Sequence, residues 1–214
     1  MEKTAPYLLH AGGVFMVFIF FNWLFLEEKH FGLPGERFVF SQGVWFYAAV
    51  SILLTVIVWK SVNIDPLLAF SAVVGSTVFF ITHGFKQQAE MVEKKLVKTG
   101  KNSMSDLSKI LYLEVIDTTF SIDGVIGAFA FTFSVPLILL GNGLGALVLR
   151  QLTISNIDNI KKYIYLKNGA MYSIFFLGSI MILDSFGVHI PHWLSPVLTF
   201  AIVGYFFLKS RHTS

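Results

Sequence analysis

The chain of 214 residues contains no cysteine. This absence excludes disulfide bonds, thiolate metal ligands and thiol catalysis, so any metal ion must be held by oxygen or imidazole groups. Charged residues are also scarce, at 14% of the chain, whereas 55% of the residues are hydrophobic and the mean hydropathy is +0.69. Soluble domains carry about 25% charged residues. The composition therefore predicts an all-α, polytopic bundle of transmembrane helices.

Apolar runs recur along the whole chain. A transmembrane helix needs about 20 predominantly apolar residues. Seven segments approach that length: 7–26, 44–62, 67–85, 109–133, 135–155, 168–186 and 194–208. The long fourth run and the short last run leave counts of six or eight open. The first run lacks the features of a removable signal peptide, and no convincing internal repeat is present, so we predict one transmembrane bundle over residues 1–214.

Basic residues concentrate in alternate connections. The connection 86–108 is rich in lysine and begins with helical periodicity, which predicts a segment on the membrane surface. Connections 63–66, 134–136 and 186–193 contain no lysine or arginine. The positive-inside rule then places the basic connections and the C-terminus in the cytoplasm. We expect a multi-pass protein of the bacterial inner membrane, in which the net charge of +3 reflects topology and not nucleic-acid binding.

Three carboxylates interrupt the fourth apolar run. The segment LEVIDTTFSIDGVIGAFA at 113–130 contains Glu114, Asp117 and Asp123. A carboxylate in hydrocarbon costs at least a few kcal/mol, so such residues usually face a bundle interior or a wet cavity on an ion path. Glu114 and Asp117 are i, i+3 neighbours on a helix, with Thr118 and Ser121 beside them. This polar stripe predicts a site for a hard divalent cation.

A regular helix would place Asp123 about half a turn from Glu114. Local unwinding near Gly124 and Gly127 would bring the three carboxylates together and add carbonyl ligands. Oxygen ligands favour Mn²⁺, Mg²⁺ or Ca²⁺ over copper or zinc. The alternative is that Glu114 and Asp117 pair with Arg150 or a lysine and only hold the bundle together.

Other polar residues occur within the apolar runs. Asn22 is the best candidate for a ligand from a second helix. Arg150 ends a glycine-rich run and either supports the ion path or extends to the membrane interface. His10 and His83 are expected to be hydrogen-bonded interface residues, not ligands.

Several segments carry a family resemblance. Residues 113–130 resemble the LEV-D-x-FSxDGVIGAFA signature of TerC-like integral membrane proteins, the family related to tellurium-resistance TerC. The segments GNGLGALVLRQLT at 141–153 and YIYLKNGAMY at 163–172 are similar to later family motifs, and 11–29 resembles an earlier span that ends in acidic residues. The resemblance implies a helical bundle related to cation exporters, with links to manganese efflux and tellurite resistance.

The chain also departs from the family pattern. Relatives usually carry an N-terminal segment with a second acidic motif, SxDN, and this chain has no such copy. An aspartate common in relatives appears as Asn22, and the Glu-His…His of the YxYLEHGAHY motif appears as Lys167, Asn168 and Met171. A metal site that needs both repeats would require a homodimer or a separate chain that supplies the missing half.

The sequence therefore favours a divalent-cation transporter or exporter, with Mn²⁺ as a candidate substrate and no permanently bound cofactor. Its expected ligands are Glu114, Asp117 and Asp123, supported by Asn22, Thr118, Ser121 and Arg150. Protons are plausible counter-ions, and no Walker A pattern is present to couple transport to ATP. The alternative is a non-transporting membrane scaffold in metal or tellurite stress response. We expect no enzymatic activity, because no catalytic pattern lies at matching depth.

Overall fold

The computed structural model describes residues 4–99, 128, 134–160, 163–191 and 193–213. Within these ranges the regular elements are all helical, which confirms the predicted all-α fold. The helices are α1 (Ala5–Leu26), α2 (Glu36–Ser41), α3 (Phe46–Val62), α4 (Pro66–Thr99), α5 (Val135–Ile160), α6 (Leu166–Ser185) and α7 (Leu194–Thr213). A short 3₁₀ helix, Gly43–Trp45, precedes α3. Six of the seven predicted spans coincide with helices. The remaining one, the fourth predicted span at 109–133, lies almost entirely outside the described residues.

Four described segments are long and apolar enough to cross a membrane: Ala5–Leu26, Gly43–Val62, Pro66–Phe85 and Leu166–Ser185. In α5 the apolar stretch is shorter and covers Val135–Leu147. The helix α4 continues without a break beyond Phe85 to Thr99. The basic connection therefore begins as an extension of the third span, and its position along a membrane surface stays a prediction.

The first helix is the centre of the described bundle. In α1, 61% of the most apolar stretch is buried inside the bundle, whereas the corresponding share for the segment that contains α3 is 17%. Its main neighbours are α6 and α4, and α7 packs on α6 while α3 packs on α4. Small residues allow these close approaches, because a Cβ atom on Gly13 would lie 2.7 Å from the Gly178 carbonyl oxygen, and one on Gly75 would overlap the Ala11 carbonyl oxygen.

Aromatic rings fill the core around α1. The rings of Phe18 and Phe79 meet edge to face at 5.5 Å between centroids, and those of Phe46 and Phe79 lie 6.4 Å apart. On the opposite side, Phe20 packs against Phe175 at 4.6 Å. Such arrangements suit the ring quadrupole and contribute beyond the area they bury. The aromatic residues of α1 thus join α3, α4 and α6 into one core.

Polar contacts hold the elements at one end of the bundle. The Tyr7 hydroxyl donates to Asp65 Oδ2 at 2.7 Å, and the Leu67 N–H donates to Asp65 Oδ1 at 2.9 Å. Asp65 therefore caps α4, which begins with Pro66. The bond from Tyr7, followed by that from Leu67, lowers the pKa of Asp65. The start of α1 and the α3–α4 connection consequently meet at this end, which we call the Asp65 end.

Candidate functional site

Five of the predicted site residues, Glu114, Asp117, Thr118, Ser121 and Asp123, lie outside the described residues. The backbone of Arg150 belongs to α5, but its side chain is also outside the described part. The carboxylate site therefore stays a prediction. Within the described ranges, no group of three or more His, Asp or Glu residues is arranged to hold a metal ion.

Asn22 is the predicted ligand that the structure does describe. It lies on the face of α1 that also carries Phe18 and Phe25, which contact Phe79 of α4 and Phe46 of α3. Its Oδ1 atom is buried and has no hydrogen-bond partner among the described residues. A buried acceptor left without a partner costs about 1–3 kcal/mol. Asn22 thus offers an oxygen atom for a cation or for a donor from the rest of the chain.

A buried carboxylate that the sequence analysis did not single out lies at the end opposite Asp65. Glu36 is the first residue of α2 and is only 3% exposed. Its Oε2 accepts hydrogen bonds from the Gly32 N–H at 2.7 Å and from Asn168 Nδ2 at 3.1 Å. Its Oε1 accepts one from the Tyr172 hydroxyl at 2.9 Å and a longer one from Asn168 Nδ2 at 3.4 Å. We call Glu36 and its three uncharged donors, Gly32, Asn168 and Tyr172, the Glu36 site.

Glycine residues shape this site. Gly35 has a φ of 98°, a left-handed conformation that glycine adopts without strain, and it is the N-cap of α2. At Gly32, a Cβ atom would lie 2.9 Å from Asn168 Nδ2 and 2.8 Å from the Phe206 ring. A larger residue at Gly32 would therefore displace the Asn168 amide and the Phe206 ring, and so disturb a donor of Glu36.

Two residues of α6 supply the side-chain donors. Asn168 and Tyr172 are separated by four positions and so share one face of the helix. Asn168 is 1% exposed and also donates from Nδ2 to the His30 carbonyl at 2.9 Å. In the family resemblance Asn168 only replaces a histidine of the motif, whereas the structure shows that it anchors the connection between α1 and α2. Gly32-Leu33-Pro34-Gly35 signals a chain reversal there, but it does not signal burial of the next residue.

Lysine residues surround the same end, which we call the Glu36 end. Lys29 Nζ donates to the carbonyl oxygens of Trp23 and Leu24 at 2.8 and 2.7 Å, and thereby caps α1. It also lies 4.0 Å from the centre of the Trp23 ring. Burial lowers the pKa of Lys29 to about 8, although the negative charges of Glu36 and Glu27 oppose this shift.

Two further lysines reach the connection from α6 and α7. Lys167 forms an ion pair with Glu27, and Lys209 donates to the Gly32 carbonyl. Each of Lys29, Lys167 and Lys209 thus has a contact with the end of α1 or the segment that follows it. Their positive charges accumulate at the Glu36 end of the bundle.

His10 forms a second buried polar cluster, near the Asp65 end. It is fully buried, with Nδ1 2.7 Å from Ser185 Oγ and Nε2 3.0 Å from Ser61 Oγ. Each serine hydroxyl also lies within hydrogen-bond distance of a carbonyl of its own helix. The prediction that His10 is a hydrogen-bonded interface residue is confirmed. His83 stacks on Phe79, with ring centroids 5.6 Å apart.

These observations define a bundle of long apolar helices in which a buried acid and a buried amide meet a half-buried phenol at one end. The chain belongs to the DUF475 family, a family of proteins of unknown function whose model matches residues 1–213. No curated protein and no solved structure matches the chain.

Proposed function

We propose that the protein is an integral membrane transporter of divalent cations, related to TerC-like proteins, with Mn²⁺ as its candidate substrate. The observation that carries this proposal is the presence of Glu114, Asp117 and Asp123 within one apolar segment. Intramembrane carboxylates are costly unless they serve an ion or proton path or pair with a cation. The four described helices that are long and apolar enough to cross a membrane support the same proposal.

The environment of Asn22 supports a cation path along α1. Its Oδ1 atom is buried, and no described donor reaches it. An amide oxygen is a suitable ligand for a hard divalent cation. Asn22 would complete a ligand set whose carboxylates come from the fourth predicted span.

The distribution of charge supports a defined orientation. Lys29, Lys167 and Lys209 contact the Glu36 end, whereas Asp65 lies at the other end. The positive-inside rule then favours a cytoplasmic position for the Glu36 end and the C-terminus. A bacterial inner membrane is the location that fits the transport proposal.

A non-transporting scaffold is the second candidate function, and Asn168 favours it. The resemblance implies a histidine ligand at this position, but here the amide donates to Glu36 and to the His30 carbonyl. Where the resemblance implies a ligand, Asn168 thus has a structural role. Such a change is expected where the metal path has been lost.

Cation flux into proteoliposomes tests the transport proposal. We expect Mn²⁺ flux with the wild-type chain, and flux equal to that of protein-free liposomes with Glu114→Gln or Asp117→Asn. The matched control is Glu28→Gln, which neutralises an exposed carboxylate and should retain flux. Thermal stability is recorded in parallel, because a carboxylate that merely locks the bundle would lose stability when neutralised. A folded wild-type chain that moves none of Mn²⁺, Mg²⁺ and Ca²⁺ would contradict transport.

A further inference from the structure

We propose that Glu36 is a proton-binding site, in which Oε1 takes up the proton and the new O–H group donates to the Tyr172 oxygen. The inference deepens the proposed function, because a bound proton would be the counter-ion of transport. That link depends on the transport proposal, but proton binding at Glu36 does not.

The two oxygen atoms of Glu36 share the Asn168 amide but differ in their other partners. Oε2 faces the Gly32 N–H and the Asn168 amide nitrogen, and neither group can accept a hydrogen bond. Oε1 accepts a long hydrogen bond of 3.4 Å from Asn168 Nδ2, and at 2.9 Å it faces the Tyr172 hydroxyl, which can either donate or accept. Protonation of Oε1 therefore leaves both bonds to Oε2 in place and reverses only the bond with Tyr172. The site can accommodate the ionised and the neutral acid without moving a helix.

The donors around Glu36 carry no charge. An arginine or lysine in direct contact would hold the carboxylate ionised, but the three described donors are a backbone N–H, an amide and a phenol. Glu36 is only 3% exposed, so these donors and not bulk water surround its carboxylate. The chemistry of the site thus permits a proton to enter and leave, whereas a salt bridge would oppose its entry.

Charged and titratable groups on every neighbouring element set the field at the site. They are Glu27, Lys29 and His30 of the connection, Arg37 of α2, Lys167 and Tyr172 of α6, and Lys209 of α7. The ionised Glu36 raises the pKa of Lys29 against the effect of burial. When Glu36 takes up a proton, this support is lost and Lys29 releases its proton more readily. Proton uptake and release at this end are therefore linked.

Infrared difference spectroscopy of the purified full-length chain tests proton binding directly. We expect acid titration to produce the carbonyl band of a protonated carboxyl group. This band should appear in wild type and in Glu28→Gln and be absent from Glu36→Gln. The glutamine side chain introduced by Glu36→Gln keeps an oxygen acceptor and an N–H donor, so the hydrogen bonds of the neutral acid are approximately preserved.

Tyr172→Phe provides a second, independent test, because it retains the carboxyl group but removes its acceptor. The carboxyl band should then shift to higher frequency. A folded Glu36→Gln variant with the complete wild-type set of bands would overturn the proposal. If Glu36→Gln fails to fold, an unshifted spectrum in Tyr172→Phe overturns it instead.

Transport measurements separate this inference from the proposed function. In proteoliposomes, Glu36→Gln should retain exchange of Mn²⁺ between the two sides but lose flux driven by a pH gradient. Exchange and gradient-driven flux that both match wild type would exclude Glu36 as the coupling site. Complete absence of flux in wild type would contradict transport, and the infrared titration would still decide whether Glu36 binds a proton.

Discussion

At the scale of single residues, Asn168 supports a buried carboxylate without neutralising it. One amide nitrogen serves Glu36 Oε2 at 3.1 Å and the His30 carbonyl at 2.9 Å. Hydrogen bonds to a charged acceptor are roughly twice as strong as those between neutral groups. The residue therefore contributes stability well beyond that of an ordinary polar side chain in an apolar helix.

Replacing Asn168 by leucine should lower the free energy of unfolding by about 1–3 kcal/mol, because a buried acceptor is left with fewer donors. Chemical denaturation in detergent measures the change. Lys167→Gln is the control, since it removes an ion pair in which the Lys167 side chain is 53% exposed, and an exposed pair contributes about 0–1 kcal/mol. Equal losses in the two variants would show that burial of the Asn168 bonds adds nothing.

Ser185 is a second residue whose contribution depends on a distant partner. Ser185→Ala removes the oxygen that contacts His10 Nδ1, so we expect a loss of about 1–3 kcal/mol from the unpaired ring nitrogen. The control is Ser179→Ala on the same helix, because the described bond of Ser179 goes only to its own helix, at the Phe175 carbonyl. Thermal denaturation of both variants should separate them, and indistinguishable midpoints would contradict a structural role for the His10 contact.

Lys29 predicts a pH dependence of stability. The folded chain releases this proton near pH 8, whereas the unfolded chain holds it to about its ordinary value of 10.5. Between these values the unfolded state binds more protons, so stability should rise with pH across this window. The rise should be absent from Lys29→Met and retained in Lys60→Met, which changes an exposed lysine at the other end. Melting temperatures from pH 7 to 11 measure the difference, and parallel profiles for wild type and Lys29→Met would refute it.

At the scale of the helices, the crossing of α1 and α4 depends on Gly75. A Cβ atom there would overlap the Ala11 carbonyl oxygen, and a backbone atom cannot move away as a flexible side chain can. Gly75→Ala should therefore destabilise the protein. Gly84→Ala is the matched control on the same helix, since a Cβ atom at Gly84 meets no described atom within 4 Å. There alanine should stabilise by about 0.5–1 kcal/mol through helix propensity, and destabilisation of similar size at both positions would contradict the close crossing.

The helices were largely predictable from the sequence, whereas the Glu36 site was not. Hydropathy over about 20 residues depends only on local composition, and it identified α1, α3, α6 and the first part of α4. Glu36 follows Gly35 in a connection that reads as polar and exposed. Its partners Asn168 and Tyr172 are 132 and 136 residues away along the chain. Periodicity and spacing describe only nearby residues, so they cannot predict a contact over that separation. The carboxylates of the fourth predicted span stay a prediction.

At the scale of the whole molecule, the absence of cysteine makes orientation directly measurable. A single introduced cysteine is the only thiol in the chain. We expect an impermeant maleimide to label Glu28→Cys from the cytoplasmic side and Asn63→Cys from the outer side, because these exposed residues lie at opposite ends. In right-side-out vesicles the maleimide reaches only the outer side of the protein, and in inverted vesicles it reaches only the cytoplasmic side. Labelling of both residues from one side, or the reverse pattern, would contradict the orientation proposed from the distribution of lysine.

The long separation between Glu36 and its partners also determines the order in which the protein can be made. When the ribosome has released α1 to α3, the carboxylate has neither the amide nor the phenol it needs, because both belong to α6. Its burial must therefore wait until the last third of the chain has been synthesised and inserted. A nascent chain that stalls before α6 would leave the Glu36 end open, exposed to membrane proteases and chaperones.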